Sequence, residues 1–190
     1  AGRVAELVQA LSEARQGADR VRNVMGDLKT FSRPDDEASG PVDVRRVAES
    51  ALNIAGGEIQ QRARLVNEFA EVPPVEANES QLAQVVLSLI LNAARSIHQG
   101  DPARNEIRVV TRRHSLDRVA IEIRDTGSGF SEETRGRIFD PYFTTQPAGV
   151  GTGLGLSVCH TIVTRLGGEI EVESELGKGS LFRVLLPVAS

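Results

Sequence analysis

The chain has 190 residues, and its 22 basic and 26 acidic side chains give a formal net charge of −4 at pH 7. This balance excludes the broad positive surface with which proteins neutralise nucleic-acid phosphates, so we expect no nucleic-acid partner. No apolar run approaches the ~18 residues of a membrane helix, so membrane contact is expected only through parts outside this sequence. The single Cys159 cannot form an internal disulfide and predicts a reduced, buried thiol in a cytoplasmic protein.

The first segment, residues 1–33, has apolar positions that alternate in spacing between three and four: Val4, Leu7, Leu11, Ala14, Ala18, Val21, Met25 and Leu28. This heptad pattern predicts a dimerisation helix that packs against another helix, from a missing part of the protein or from a second copy. The alternative is that the apolar stripe packs on the domain that follows. Prolines and consecutive acids then predict a linker over residues 34–41.

Beyond the linker, residues 42–190 switch repeatedly between helical and strand patterns. Helices are predicted at 44–55, 78–97 and 154–166, with Asn78 as an N-cap. Alternating apolar and polar residues predict strands at 64–69, 107–112, 119–124, 169–174 and 180–187. We therefore expect an α+β fold, a two-layer α/β sandwich with a mixed, mainly antiparallel sheet, preceded by a long helix.

The stretch "DTGSGF" begins with Asp125, directly after the strand predicted at 119–124. Gly127 and Gly129 would allow a flat group to approach the backbone. A carboxylate accepts from an exocyclic amine such as adenine N6 and repels a carbonyl. A charge-assisted hydrogen bond of about 1.5 to 3 kcal/mol would favour adenine over guanine by roughly ten- to a hundredfold.

A second glycine-rich stretch, "GVGTGLGLS", comes directly before a predicted helix. Free backbone amides at a helix N-terminus bind anions, so this stretch is a candidate polyphosphate site. The two common nucleotide motifs do not fit. Leu156 replaces the third glycine of a dinucleotide fingerprint, and Val172 replaces the first glycine of a Walker-type loop. Taken singly, each glycine stretch is more typical of a turn or a helix start than of a binding site.

The helix predicted at 78–97 carries a polar residue, Asn92, among apolar neighbours. A neutral oxygen ligand beside phosphates suits Mg²⁺, which takes few protein ligands. Arg95, one turn further along the helix, is placed to reach phosphate oxygens. The alternative for Asn92 is an amide that caps an internal turn.

Five motifs in this order, "LILNAA", "DTGSGF", "IFDPYFTT", "GTGLGLS" and "GKGSLF", resemble the boxes of the sensor histidine kinase catalytic domain. That domain belongs to the GHKL superfamily and has the Bergerat ATP-binding fold. The resemblance covers about residues 42–188. The segment "RVRNVMGDLKTFSR" is similar to the second helix of the dimerisation and phosphotransfer hairpin that precedes such domains.

The resemblance implies ATP and Mg²⁺ as cofactors, a mobile lid over about residues 131–149 that includes Phe139 and Phe143, and a response regulator receiver domain as partner. It assigns Mg²⁺ coordination to Asn92 and adenine recognition to Asp125, with Ser180 helping through water. Catalysis is assigned to Asn92 and Arg95. The nucleotide-binding residues expected in full are Asn92, Arg95, Asp125, Gly127, Gly129, Phe143, Gly151, Gly153, Leu154, Gly155, Leu156 and Ser180.

Three departures from the family pattern bear on activity. Ser88 stands where hydrolytic relatives carry a catalytic Glu, and Gln146 stands where related kinases often have Lys. None of His98, His114 and His160 lies in a phosphoacceptor motif. We therefore expect the ATP-binding part of a histidine kinase whose acceptor histidine is outside this chain. The alternatives are a nucleotide-binding pseudokinase or scaffold, and a serine kinase or ATPase on the same fold.

Overall fold

The computed structural model of the protein describes residues 39–145 and 152–189. The predicted dimerisation helix at 1–33 lies outside the described residues, as do Gln146, Gly149 and Gly151 of the predicted lid and second glycine stretch.

The described residues form four helices and seven strands. The helices are α1 Val44–Gln60, α2 Glu79–Ser96, α3 Glu132–Arg135 and α4 Gly155–Arg165. The strands are β1 Gly40–Val42, β2 Arg64–Phe69, β3 Val75–Ala77, β4 Glu106–Arg113, β5 Arg118–Asp125, β6 Glu169–Glu175 and β7 Gly179–Pro187. The three long helices and the five long strands confirm the predicted elements. The sequence patterns do not predict α3, β1 or β3, because segments of three or four residues are too short to display a period.

The five long strands form one sheet in the order β2-β4-β5-β7-β6. Strand β2 runs parallel to β4, and every other neighbouring pair is antiparallel. This confirms the expected mixed, mainly antiparallel sheet. The short strands β1 and β3 pair with each other in a separate antiparallel sheet.

The helices cover one face of the large sheet, which makes the fold a two-layer sandwich. Helix α2 lies at the centre, because it contacts α1, α4 and the sheet strands β4, β5 and β7. Its fully buried side chains are Leu82, Val85, Val86, Leu89, Ile90, Ala93 and Ala94. Each large aliphatic side chain buried in this way contributes about 1.5 to 3 kcal/mol, so the core fixes the position of α2 against the end of β5.

Side-chain caps define where α1 and α2 begin. Asp43 accepts hydrogen bonds from the amides of Arg45 and Arg46 at the start of α1. Asn78 accepts from the amide of Gln81 at 3.0 Å, which confirms the predicted N-cap of α2. Such caps satisfy amides that have no partner within the helix, and each is typically worth about 1 kcal/mol.

Cys159 is free and 1% exposed, as its apolar surroundings predict. His98, His114 and His160 are exposed. Among the helices within 39–145 and 152–189, none is both long and apolar enough to cross a bilayer.

Candidate functional site

Three polar side chains form a row at one end of the sheet, on the face that packs against the helices. Asp125 on β5 is directly opposite Ser180 on β7, and Ser180 is opposite Ser174 on β6. The next row inward is apolar and consists of Ile123, Phe182 and Val172. Because alternate residues of a strand share a face, both rows face the helices. The polar row is therefore the rim of an otherwise apolar surface.

Asp125 is the most buried charged group of this rim, with 3% exposure. The Ser96 hydroxyl lies 2.9 Å from its Oδ1, and the Gly127 amide donates to the same oxygen at 2.8 Å. Burial raises the pKa of Asp125 above its ordinary value, and the hydrogen bonds from Gly127, Ser96 and the Ser180 amide oppose that rise. The hydrogen bonds from Ser96 and Gly127 both reach Oδ1, and the carboxylate retains lone pairs that can accept from a ligand.

The glycines around Asp125 are required by packing. A Cβ on Gly127 would lie 2.0 Å from the Ser96 hydroxyl oxygen. Gly179 has a φ of +100°, and its Cβ would lie 2.0 Å from the Asp125 carbonyl oxygen. Gly129 has a φ of +57°, and its Cβ would lie 2.1 Å from the Glu175 carbonyl oxygen. These glycines let the β6–β7 turn and the end of α2 close around the carboxylate.

Helix α2 presents three polar side chains at intervals of four residues. Ser96 contacts Asp125 at one end of this series, and the Ser88 hydroxyl lies 3.3 Å from where a Cβ of Gly155 would be at the other. Residues four apart lie on one helix face, so Asn92 lies between the Asp125 carboxylate and the start of α4. Asn92 is partly exposed, and its carboxamide has no hydrogen-bond partner among the residues that the structure describes.

Arg95 lies on the same exposed side of α2, in its last turn. It is solvent-exposed and forms no ion pair within the described part of the chain. The structure therefore leaves one cation and one amide near each other without a described protein partner.

Helix α4 begins without a side-chain cap. Leu154 occupies the N-cap position and offers no capping hydrogen bond, in contrast to Asp43 and Asn78 at α1 and α2. The first backbone bond of the helix runs from the Val158 amide to the Leu154 carbonyl at 3.0 Å. By helix geometry the preceding amides, including that of Gly155, have no acceptor within the helix. These amides and the helix dipole favour an anion at this position. Leu156 is half-buried and packs against the core.

The described part of the predicted lid packs on α4. The rings of Phe139 and His160 are 5.0 Å apart, and the Arg137 guanidinium lies 4.5 Å from the centre of the Phe143 ring. The Tyr142 amide donates to the Gly153 carbonyl at 2.9 Å. Gly153 has a φ of +68°, and its Cβ would lie 2.4 Å from the Tyr142 carbonyl carbon. This contact brings Phe143 towards the start of α4.

Two residues of this site, Ser96 and Ser174, are not among those predicted from the sequence. The Ser174 hydroxyl lies 3.1 Å from the Ser180 hydroxyl and accepts from the Phe130 amide at 2.9 Å. Alternation along β6 places Ser174 on the face of Val172, but only the strand register reveals its neighbours. Ser96 follows Asn92 by four residues, which predicts a shared helix face and not the contact with Asp125.

Comparisons with known proteins fit this geometry. Residues 77–190 match the family model described as histidine kinase-, DNA gyrase B-, and HSP90-like ATPase. Sensor histidine kinase ZraS of Escherichia coli (strain K12) is 34% identical over 189 residues, which are 98% of this chain and 38% of ZraS. The chain thus spans less than two fifths of that relative.

Two solved structures have a similar fold. The catalytic domain of histidine kinase ThkA is 25% identical with a TM-score of 0.66, covering 78% of this chain and 95% of that domain. Full-length ShkA in complex with AMPPNP is 23% identical with a TM-score of 0.76, covering 97% of this chain and 39% of ShkA.

Proposed function

Since the chain belongs to the family of histidine kinase-, DNA gyrase B-, and HSP90-like ATPases, we propose that residues 42–190 bind Mg·ATP as the catalytic domain of a sensor histidine kinase. The γ-phosphate would pass to a histidine outside this chain and then to an aspartate of a response regulator receiver domain. The buried Asp125 carboxylate, with donors fixed on Oδ1, is the observation that carries this proposal.

The base end of the proposed site is the polar row. Asp125 accepts from the exocyclic amine of adenine, and Ser180 holds the base through water. The apolar row behind them is packed in the core and fixes the position of the polar row. Gly127 and Gly129 leave no side chain between the loop and the base. A 6-oxopurine is disfavoured because its carbonyl would face an acceptor.

The phosphate end of the proposed site is the uncapped start of α4. The amides beyond Leu154 bind phosphate oxygens, with Gly151, Gly153 and Gly155 giving the backbone close access and Leu156 anchoring the helix in the core. Arg95 contributes a positive charge from α2. Phe143 and the lid exclude water from the transferred group, which favours transfer over hydrolysis.

The metal would be held by the Asn92 carboxamide together with phosphate oxygens. The oxygen of an amide without a described partner fits Mg²⁺, which takes oxygen ligands and keeps several waters. No cluster of three or more His, Cys, Asp or Glu side chains within the described ranges could hold a metal ion. When bound, the ion neutralises phosphate charge.

The chemistry expected of this chain is positioning. Phosphoryl transfer depends mainly on alignment and charge neutralisation, and it needs no strong protein base at this site. Ser88 lies opposite Gly155, and a hydroxyl there is a poor base for activating water. This favours a kinase over an ATPase.

ATP binding is tested by calorimetry on the 190-residue chain. We expect Mg·ATP to bind, Mg·GTP to bind at least about tenfold more weakly, and Asp125→Asn to lose about ten- to a hundredfold in ATP affinity. Glu122→Gln, on the opposite face of the same strand, is the matched control and should bind ATP normally. Equal affinity for ATP in the wild type and Asp125→Asn would overturn the base assignment.

The metal role of Asn92 has its own readout. Asn92→Ala should weaken ATP binding about tenfold with magnesium and change it little when the ion is chelated, because only the metal-dependent contact is removed. An equal loss under both conditions would contradict metal coordination.

Kinase activity is tested with the complete protein and its upstream residues. Incubation with ATP should yield an acid-labile phosphohistidine, and loss of this product in Asn92→Ala would link it to the site. ATP binding without phosphohistidine would instead favour the scaffold alternative.

We also propose that residues 1–33 support a homodimer in the cytoplasm. Light scattering should then show a dimer for the full chain and a monomer after residues 1–33 are deleted.

A further inference from the structure

The hydroxyl hydrogen of Ser96 has two acceptors within hydrogen-bond distance, one of which is the Asp125 carboxylate. The Ser96 hydroxyl oxygen lies 2.9 Å from Asp125 Oδ1 and 2.8 Å from the Ala93 carbonyl oxygen. In a continuing α-helix the Ala93 carbonyl would accept from the amide of Ile97, but that amide donates to Ala94 at the end of α2. The Ala93 carbonyl therefore remains open to the hydroxyl.

A serine hydroxyl has one hydrogen to donate, so it serves one of these acceptors at a time. When Asp125 is ionised, the hydroxyl donates to its carboxylate. When Asp125 takes up one proton from solvent, the carboxyl group donates to the Ser96 oxygen, whose hydrogen turns to Ala93. Both arrangements use the same heavy-atom positions, so changing between them needs no movement of α2 or β5.

The surroundings make both forms of Asp125 accessible. Burial raises its pKa, and hydrogen bonds from Gly127, Ser96 and the Ser180 amide stabilise the charged form. The charged side chains on the neighbouring elements are Arg95 on α2, Glu106 on β4, Arg124 on β5, and Glu175 and Lys178 at the β6–β7 turn. Among the ion pairs formed by described residues, none includes Asp125, and Glu175 pairs with Lys178.

The contact is also built into the chain around it. The Ser128 amide donates to the Ser96 carbonyl at 3.0 Å, and the Arg62 guanidinium donates to the Ile97 carbonyl at 3.0 Å. Gly127 has no Cβ, and one would lie 2.0 Å from the Ser96 hydroxyl oxygen. The loop that follows β5 and the segment that follows α1 therefore both hold the last turn of α2 in place.

We propose that Ser96 is a specificity-determining positioning residue, whose hydroxyl selects the form in which Asp125 meets the purine. This rests on the proposed nucleotide site. With the hydroxyl on the carboxylate, Asp125 accepts from a 6-amino group. Without that donor, the protonated form of Asp125 is more populated, and its carboxyl group donates to a 6-oxo group instead. Ser96 thereby favours 6-aminopurines over 6-oxopurines.

The test compares Ser96→Ala with Ser50→Ala, a matched substitution on the exposed face of α1. Affinities for Mg·ATP and Mg·GTP are measured by calorimetry on the 190-residue chain at several pH values above the ordinary aspartate pKa of about 3.9. Thermal unfolding checks that both variants keep the fold.

We expect Ser96→Ala to lose about tenfold in ATP affinity near neutral pH. The ratio of its dissociation constant to that of the wild type should grow as the pH falls, because loss of the donor raises the pKa of Asp125. The ratio of its GTP dissociation constant to its ATP dissociation constant should fall in parallel. Titration of the ligand's own phosphates cancels in the ratio. Ser50→Ala should match the wild type throughout.

A carbon NMR titration of the Asp125 carboxyl group in the ligand-free chain separates this proposal from the proposed function. Asp125 should titrate at a higher pH in Ser96→Ala than in the wild type and Ser50→Ala. An unchanged titration, or an ATP affinity loss that is the same at every pH, overturns the role of Ser96. A wild type that binds no ATP overturns the proposed function, while the titration still decides the Ser96–Asp125 coupling.

Discussion

Asp125 and Glu122 lie three residues apart on β5 but face opposite sides of the sheet. Asp125 faces the helices, and burial raises its pKa against the hydrogen bonds from Gly127 and Ser96. Burial also disfavours the charge of Glu122, yet the guanidinium groups of Arg112 and Arg183 hold the pKa of Glu122 below its ordinary value. The same strand therefore carries one carboxylate that destabilises the fold when charged and one that stabilises it.

The contacts of Glu122 on the sheet face opposite the helices, here called the open face, explain why its charge stabilises the fold. Arg112 and Arg183 both donate to its Oε1 at 2.6 Å, and Arg183 also pairs with Glu171 on β6. The ion pairs thus cross three neighbouring strand boundaries, from β4 to β6. Single exposed pairs contribute little, but a network that shares one guanidinium orders fewer side chains per bond. On the helix face, by contrast, the capacity of Asp125 to accept is left for a ligand.

The largest expected effect comes from breaking the support of Asp125. Gly179→Ala should lower the free energy of unfolding by about 2 to 4 kcal/mol, because it combines a positive φ with a clash at the Asp125 carbonyl. Gly177→Ala is the matched control in the same turn. It has a φ of +78° but open space around its Cβ, so it should lose only about 1 kcal/mol. Urea denaturation measures both, and equal losses would contradict a packing role for Gly179.

A smaller effect comes from removing the charge of Asp125. The folded-state pKa is raised, so the wild-type fold is favoured below the ordinary aspartate pKa and loses stability as the pH rises through the raised value. Relative to the wild type, Asp125→Asn should therefore gain about 0.5 to 2 kcal/mol as the pH rises from the ordinary aspartate pKa through the raised value. Unfolding curves at several pH values measure this gain, and a constant difference would contradict the shifted pKa.

The smallest effect is expected on the open face, with the opposite sign. The lowered pKa of Glu122 means that its stabilisation is present above the ordinary glutamate pKa and is lost as the pH falls through the lowered value. Glu122→Gln should be about 0.5 to 1 kcal/mol less stable than the wild type at neutral pH. That difference should shrink on acidification and in high salt. A loss that persists in acid would assign the effect to packing.

Much of the fold follows from local sequence pattern. The spacing of apolar residues predicts α1, α2, α4 and the five long strands, since each pattern extends over two or more turns of helix or several alternations. The short strands β1 and β3 escape prediction because their pairing depends on the docking of α1 and α2, which follow them directly in sequence. Ala120 on β5 is another difference. It belongs to the polar set of the alternation but is fully buried, and the buried Leu185 lies opposite it on the neighbouring strand.

The candidate site also combines features that the sequence predicts with contacts that only the structure shows. The sequence by itself determines Asp125 at a strand end, Asn92 on an amphipathic helix and glycines before α4, because these depend on residue type and local period. Only the tertiary structure decides that Ser96 contacts Asp125, and that Ser180 and Ser174 continue the polar row. These contacts join separate elements, so they depend on strand register and on the docking of α2, which the packed core sets.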